Sequence, residues 1–106
     1  MAIDYKTFGT NIVGFIGDAS DGYDMSSNTT TYFCDITIAS VLVNAPDPNL
    51  MAGKMIIFYM TNLSEESNLT VAGYIDGSDI GTISFTSFTT MGCLISDGIY
   101  WRTHTF

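Results

Sequence analysis

The sequence predicts an all-β domain: a β-sandwich or jelly-roll-like arrangement of about 7–8 short antiparallel strands. Three observations carry this. Apolar and polar residues alternate with period two in five segments, and no segment shows the helical period. β-branched and aromatic residues fill those segments, while the good helix formers Lys, Glu, Gln and Arg are nearly absent. Turn signals recur at short intervals, at Asp21-Gly22, Pro46-Asp47-Pro48, Asp76-Gly77 and Asp97-Gly98.

Taken in order, Asn11 to Ile16 reads as a strand and Gly17 to Asn28 as a polar loop. Thr31 to Ser40 reads as a strand, with Tyr32, Cys34, Ile36 and Ile38 on one face and Thr31, Phe33, Asp35 and Thr37 on the other; Val41 to Val43 continue it beyond a bend. Pro46 and Pro48 lack the N–H that a ladder needs, so pairing breaks there. Lys54 to Thr61 is apolar on both faces: Met55, Ile57 and Tyr59 on one, Ile56, Phe58 and Met60 on the other. Such a strand must be covered on both sides, and in a small domain a second subunit is a candidate cover. Asn62 to Asn68 reads as a polar connection holding Glu65 and Glu66. Leu69 to Ile75 alternates, Asp76 to Asp79 turns the chain, and Ile83 and Phe85 alternate with Thr82 and Ser84. Met91, Cys93 and Ile95 alternate with Thr90, Gly92 and Leu94. A tight turn at Asp97-Gly98 leads to a last strand, with Ile99, Trp101 and Thr103 on one face and Tyr100, Arg102 and His104 on the other, and Phe106 ends the chain. No composition shift divides the chain, so residues 1–106 are expected to form one domain.

Charge narrows the function. Only 13% of residues are charged, against about 25% in an ordinary domain. Eleven acids against three bases give a net charge of −8. That field lacks the basic footprint that phosphate binding requires, so nucleic acid is not an expected partner. No apolar run is long enough for a membrane helix, and no membrane partner is expected. The opening Met1-Ala2-Ile3-Asp4-Tyr5-Lys6 does not have the form of a signal peptide, so synthesis in the cytoplasm is expected. The Asn-X-Ser/Thr triplets at Asn28, Asn62 and Asn68 are then read as turn chemistry.

Four groups of residues invite a chemical reading. Asp18, Asp21 and Asp24 recur every third position and are candidate Ca²⁺ ligands, although the EF-hand spacing is not met and a solvated loop is the simpler expectation. Cys34 and Cys93 are either one disulfide or two buried thiols, and with a single histidine they cannot build a zinc site. His104 lacks a recognisable nucleophile elbow near it, so no catalytic residue and no cofactor is expected. Tyr23, Tyr74, Tyr100 and Trp101 are candidates for a carbohydrate platform, with burial of Trp101 in the core as the competing reading.

From Gly53 onward the order of motifs carries a resemblance. Gly53-Lys54-Met55-Ile56-Ile57 is followed by Asn62-Leu63-Ser64, Asn68-Leu69-Thr70-Val71 and Ile75-Asp76-Gly77-Ser78, closing with Gly92-Cys93-Leu94-Ile95-Ser96-Asp97-Gly98 and Trp101. This half of the chain resembles small β-modules of bacteriophage tail-fibre, head-fibre and capsid-decoration proteins. The resemblance implies a non-enzymatic structural role on a virus particle, contacts with other virion proteins, and assembly with itself as a trimer. It carries over no catalytic residue. The strand Met55, Ile56, Ile57, Phe58, Tyr59 and Met60 is the expected packing element. A carbohydrate-binding module reading a host-surface glycan through Trp101, Tyr100 and Tyr74 is the alternative function, and a small hydrolase the third.

Overall fold

The computed structural model describes residues 5–8, 11–63, 67–86 and 91–105. Nine strands are present among them: β1 (Tyr5–Phe8), β2 (Asn11–Gly17), β3 (Thr31–Ile36), β4 (Val41–Asn44), β5 (Met55–Leu63), β6 (Leu69–Ile75), β7 (Ser78–Phe85), β8 (Met91–Ser96) and β9 (Trp101–Thr105). One 3-10 turn, Pro48–Met51, precedes β5, and the Asp47 side chain caps it by accepting from the Asn49 N–H. The chain is therefore all-β.

The strands form one sheet in the order β1-β2-β3-β5-β8-β9-β6-β4, with β7 paired to β6. Pairing is mixed, which corrects the expectation of an antiparallel arrangement. β2 with β3, β3 with β5, and β4 with β6 are parallel. β1 with β2, β5 with β8, β6 with β7, and β8 with β9 are antiparallel. Period-two alternation reports which face a residue takes but says nothing of strand direction.

Parallel neighbours need crossovers, and the connectivity supplies them. The chain leaves β2, runs beside β4 as residues 22–25, and returns as β3. It then crosses to β4, back to β5, and across again to β6. The 22–25 segment is tied to β4 by Gly22 N–H to the Leu42 carbonyl at 2.7 Å, Asn44 N–H to the Tyr23 carbonyl at 2.8 Å, and Met25 N–H to the Asn44 carbonyl at 2.9 Å. The outer edge of β4 is thus covered by the connection that joins β2 to β3. The sheet curls towards closure, like a barrel, round one core.

Alternation decides what fills that core. Tyr32, Cys34 and Ile36 of β3, Ile56 and Phe58 of β5, Leu69 and Val71 of β6, Leu94 of β8 and Trp101 of β9 are all buried inward. The rings of Tyr32, Phe58 and Phe85 run through it, with centroids 5.7 Å and 5.4 Å apart along the series.

Several element boundaries differ from the expectation. β3 stops at Ile36 because residues 37 and 38 give their N–H groups to Asp18 instead of a ladder. β5 continues through Asn62 to Leu63, past a register shift opposite Cys34 and Asp35. The turn after β6 shrinks to Asp76-Gly77, whose φ values of 50° and 89° suit a two-residue hairpin, so Ser78 and Asp79 already belong to β7. Glu65, Glu66, Thr90, Phe106 and residues 1–4 lie outside the described residues.

Candidate functional site

Asp18, Asp21 and Asp24 do not gather round a point. Asp18 accepts from the N–H groups of Thr37 at 2.9 Å and Ile38 at 3.0 Å, Asp21 from Leu42 N–H at 2.9 Å, and Asp24 from the Asn44 amide at 3.0 Å. Their spacing of three residues matches successive anchor points along residues 37–44. The backbone bonds hold the Asp18 carboxyl below its ordinary pKa. The loop is tied down rather than freely solvated, and among the described residues no three His, Cys, Asp or Glu are placed to hold a metal ion.

The cysteines are both free. Cys34 faces the core and Cys93, opposite Ile57 and His104 on the flanking strands, lies on the outer face. Two thiols on opposite faces of one sheet cannot meet. Burial raises both pKa values, which disfavours the thiolate of each.

The second face of β5 is the first candidate surface. Phe15 of β2, Phe33 of β3 and Tyr59 of β5 are direct cross-strand partners, and their rings stack in a row with centroids 5.8 and 5.5 Å apart. Phe15 is 36% and Tyr59 38% exposed. Met91 continues the row on β8, and Met55, Ile57 and Ile95 lie beside it. Among the described outward positions of β2, β3, β5 and β8 the one charged residue is Asp35. Ile56 and Phe58 point the other way into the core, and Met60 packs against its edge.

The second candidate is a groove of about 240 Å³ where three turns converge. The 3-10 turn contributes Asp47 and Asn49, the β6–β7 hairpin Tyr74 and Asp79, and the β8–β9 turn Ile99 and Tyr100. Sequence reasoning named Tyr74 and Tyr100 for a binding role, and they do line one groove. Trp101 does not: it is fully buried, and its indole N–H donates to the Pro46 carbonyl at 2.8 Å. Tyr23 packs against the core and lies outside this lining. Sequence reasoning missed Asp47, Asn49, Asp79 and Ile99, because turns 20 to 52 positions apart give no local sign of convergence.

Cross-ties fix the three turns. Ser96 Oγ donates to the Pro48 carbonyl at 2.6 Å, and the Tyr100 hydroxyl to Asp79 at 3.0 Å. Asp97 accepts from the N–H groups of Ile99 and Tyr100 and from Arg102 Nε, each within 2.9 Å. These bonds hold the Asp97 carboxyl down at about 2.

The chain matches no protein-family model, no curated protein and no solved structure. Among the described residues no helix is long and apolar enough to cross a membrane.

Proposed function

We propose that this chain is a non-enzymatic structural module that assembles with copies of itself through the outer face of β2, β3, β5 and β8. The observation that supports this reading is the stacked row Phe15, Phe33 and Tyr59, left exposed on strands that carry almost no charge. A sheet face of that composition resembles half of a sheet-on-sheet interface, and covering it removes apolar area without desolvating ions. In the assembled state the two halves of the curled sheet act as the layers of a sandwich. The motif order from Gly53 onward points the assembly to a virus particle, as a trimeric decoration, spike or fibre component beside other virion proteins. Ring closure leaves no open patch on such a trimer.

The test is light scattering after size exclusion at physiological salt. The wild-type chain is expected as an oligomer at micromolar concentration. Phe33→Ser, in the middle of the row, is expected to return it to monomer, while Ile80→Ser on the remote and exposed β7 is expected to leave it assembled. A wild-type monomer overturns the reading. The place on a particle is tested separately, by mass spectrometry of purified virions.

A further inference from the structure

We infer that the groove between the 3-10 turn, the β6–β7 hairpin and the β8–β9 turn binds a single sugar ring of a glycan. This goes beyond the assembly reading and does not depend on it, because the groove and the outer face are built from different residues.

The groove offers both surfaces that a pyranose needs. Tyr74 is 45% exposed and Ile99 is exposed beside it, so together they present an apolar wall to the C–H face of a ring. Arg102 already sits over the Tyr100 ring, 5.6 Å from its centroid, which makes Tyr74 the stacking residue. Polar groups stand round this wall. Asp79 spends one carboxylate oxygen on the Tyr100 hydroxyl and Asp47 spends one on the Asn49 N–H, leaving the second oxygen of each to accept from a hydroxyl. The Asn49 amide both donates and accepts, as sugar hydroxyls do. A cationic ligand would satisfy the carboxylates but could not accept from the Asn49 amide. The volume of about 240 Å³ suits one ring rather than an extended chain.

The site is also held in advance of binding. Trp101 acts as a positioning residue: its indole N–H ties Pro46, next to Asp47, to the strand that follows Tyr100. Ser96 ties the 3-10 turn to the β8–β9 turn, and the Tyr100 hydroxyl ties that turn to the hairpin. Loops fixed this way lose little freedom when a ligand arrives.

The experiment uses the whole chain and follows backbone amide chemical shifts during titration with methyl glycosides of glucose, galactose, mannose and N-acetylglucosamine. At least one glycoside is expected to shift the amides of Asn49, Asp79, Ile99 and Tyr100 with saturation. Tyr74→Ala is expected to weaken that binding about 10-fold, the scale of one aromatic contact, while Tyr74→Phe retains it. An unchanged thermal midpoint in both variants separates loss of binding from loss of fold. Tetramethylammonium chloride serves as the cation probe. The inference is overturned if no glycoside moves these amides, if Tyr74→Ala binds as tightly as wild type, or if tetramethylammonium alone moves them.

Discussion

At the scale of single residues, close approach governs this core more than hydrogen bonding does. Gly92 lies under the Phe85 ring, and a Cβ there would overlap the ring carbons. Gly14 stands in the same relation to Tyr32, where an added Cβ would lie 2.6 Å from the ring. A glycine within a strand reads as a weakness in the sequence, and here it is the space that a ring requires. The Tyr32 hydroxyl, in contrast, is buried and meets no partner at hydrogen-bonding distance and angle, although Tyr23 and Thr29 lie near enough to influence it. Its pKa is pushed far up by burial. Opposite outcomes follow for two substitutions. Gly92→Ala is expected to cost about 1–3 kcal/mol, because the ring behind it is itself packed on Phe58. Tyr32→Phe is expected to be neutral or to stabilise by up to about 1 kcal/mol, since it removes an unsatisfied polar group and keeps the ring. Urea unfolding of both variants beside wild type measures the two effects.

At the scale of elements, carboxylates placed in turns set where strands stop. Asp18, Asp21 and Asp24 clamp the β2–β3 connection to residues 37–44, and Asp97 closes the β8–β9 turn. The spacing of the first three acids was legible in the sequence, but their purpose was not, because ligand sets and backbone anchors use the same residues. The two carboxyls with depressed pKa values, Asp18 and Asp97, give a pH dependence with a definite sign. A carboxyl whose folded pKa lies below its unfolded value contributes stability that is present above the unfolded pKa and is lost as pH falls through the folded one. For Asp97 that window runs from the ordinary 3.8 down to about 2. The thermal midpoint of wild type is therefore expected to fall as pH drops below about 4. Asp18→Asn is expected to lower the midpoint at neutral pH and to flatten the acid limb. An acid limb for Asp18→Asn that matches wild type would show that the Asp18 bonds contribute nothing to it.

At the scale of the whole molecule, the crossovers determine what is exposed. Because β2, β3 and β5 run parallel and in register, their outward aromatic residues Phe15, Phe33 and Tyr59 fall in one row, while Tyr32 and Phe58 of the same strands face the core. Cys93 lies on that same face and is only 4% exposed, whereas Cys34 is wholly enclosed in the core. A thiol probe therefore reports on assembly. In denaturant-free buffer, a maleimide is expected to label Cys93 before Cys34. Labelling of Cys93 is expected to slow as protein concentration rises and the outer face becomes covered, and to quicken again in Phe33→Ser. Mass spectrometry of peptides from quenched reactions assigns the site. Concentration-independent labelling of Cys93 would show that assembly does not cover this face.

The sequence by itself determined the class of fold and the facing of most strands. The alternation of Met55, Ile57 and Tyr59 against Ile56, Phe58 and Met60 is the division between outside and inside that the structure has, because side-chain direction in a strand is a local property. It also located turns at Asp76-Gly77 and Asp97-Gly98, although the second runs on through Tyr100 and the last strand starts at Trp101 rather than Ile99. Strand direction and order were decided only by the tertiary structure. Whether β3 pairs with β5 or with β4 depends on which crossover closes the core, and no single segment encodes that choice. The groove belongs to the same level: Asp47, Tyr74 and Tyr100 meet only because three connections end at one place. The fate of the cysteines was fixed there too, since alternation assigns each thiol a face of its strand but only the pairing of β3 and β8 to opposite sides of β5 shows that those faces are opposite.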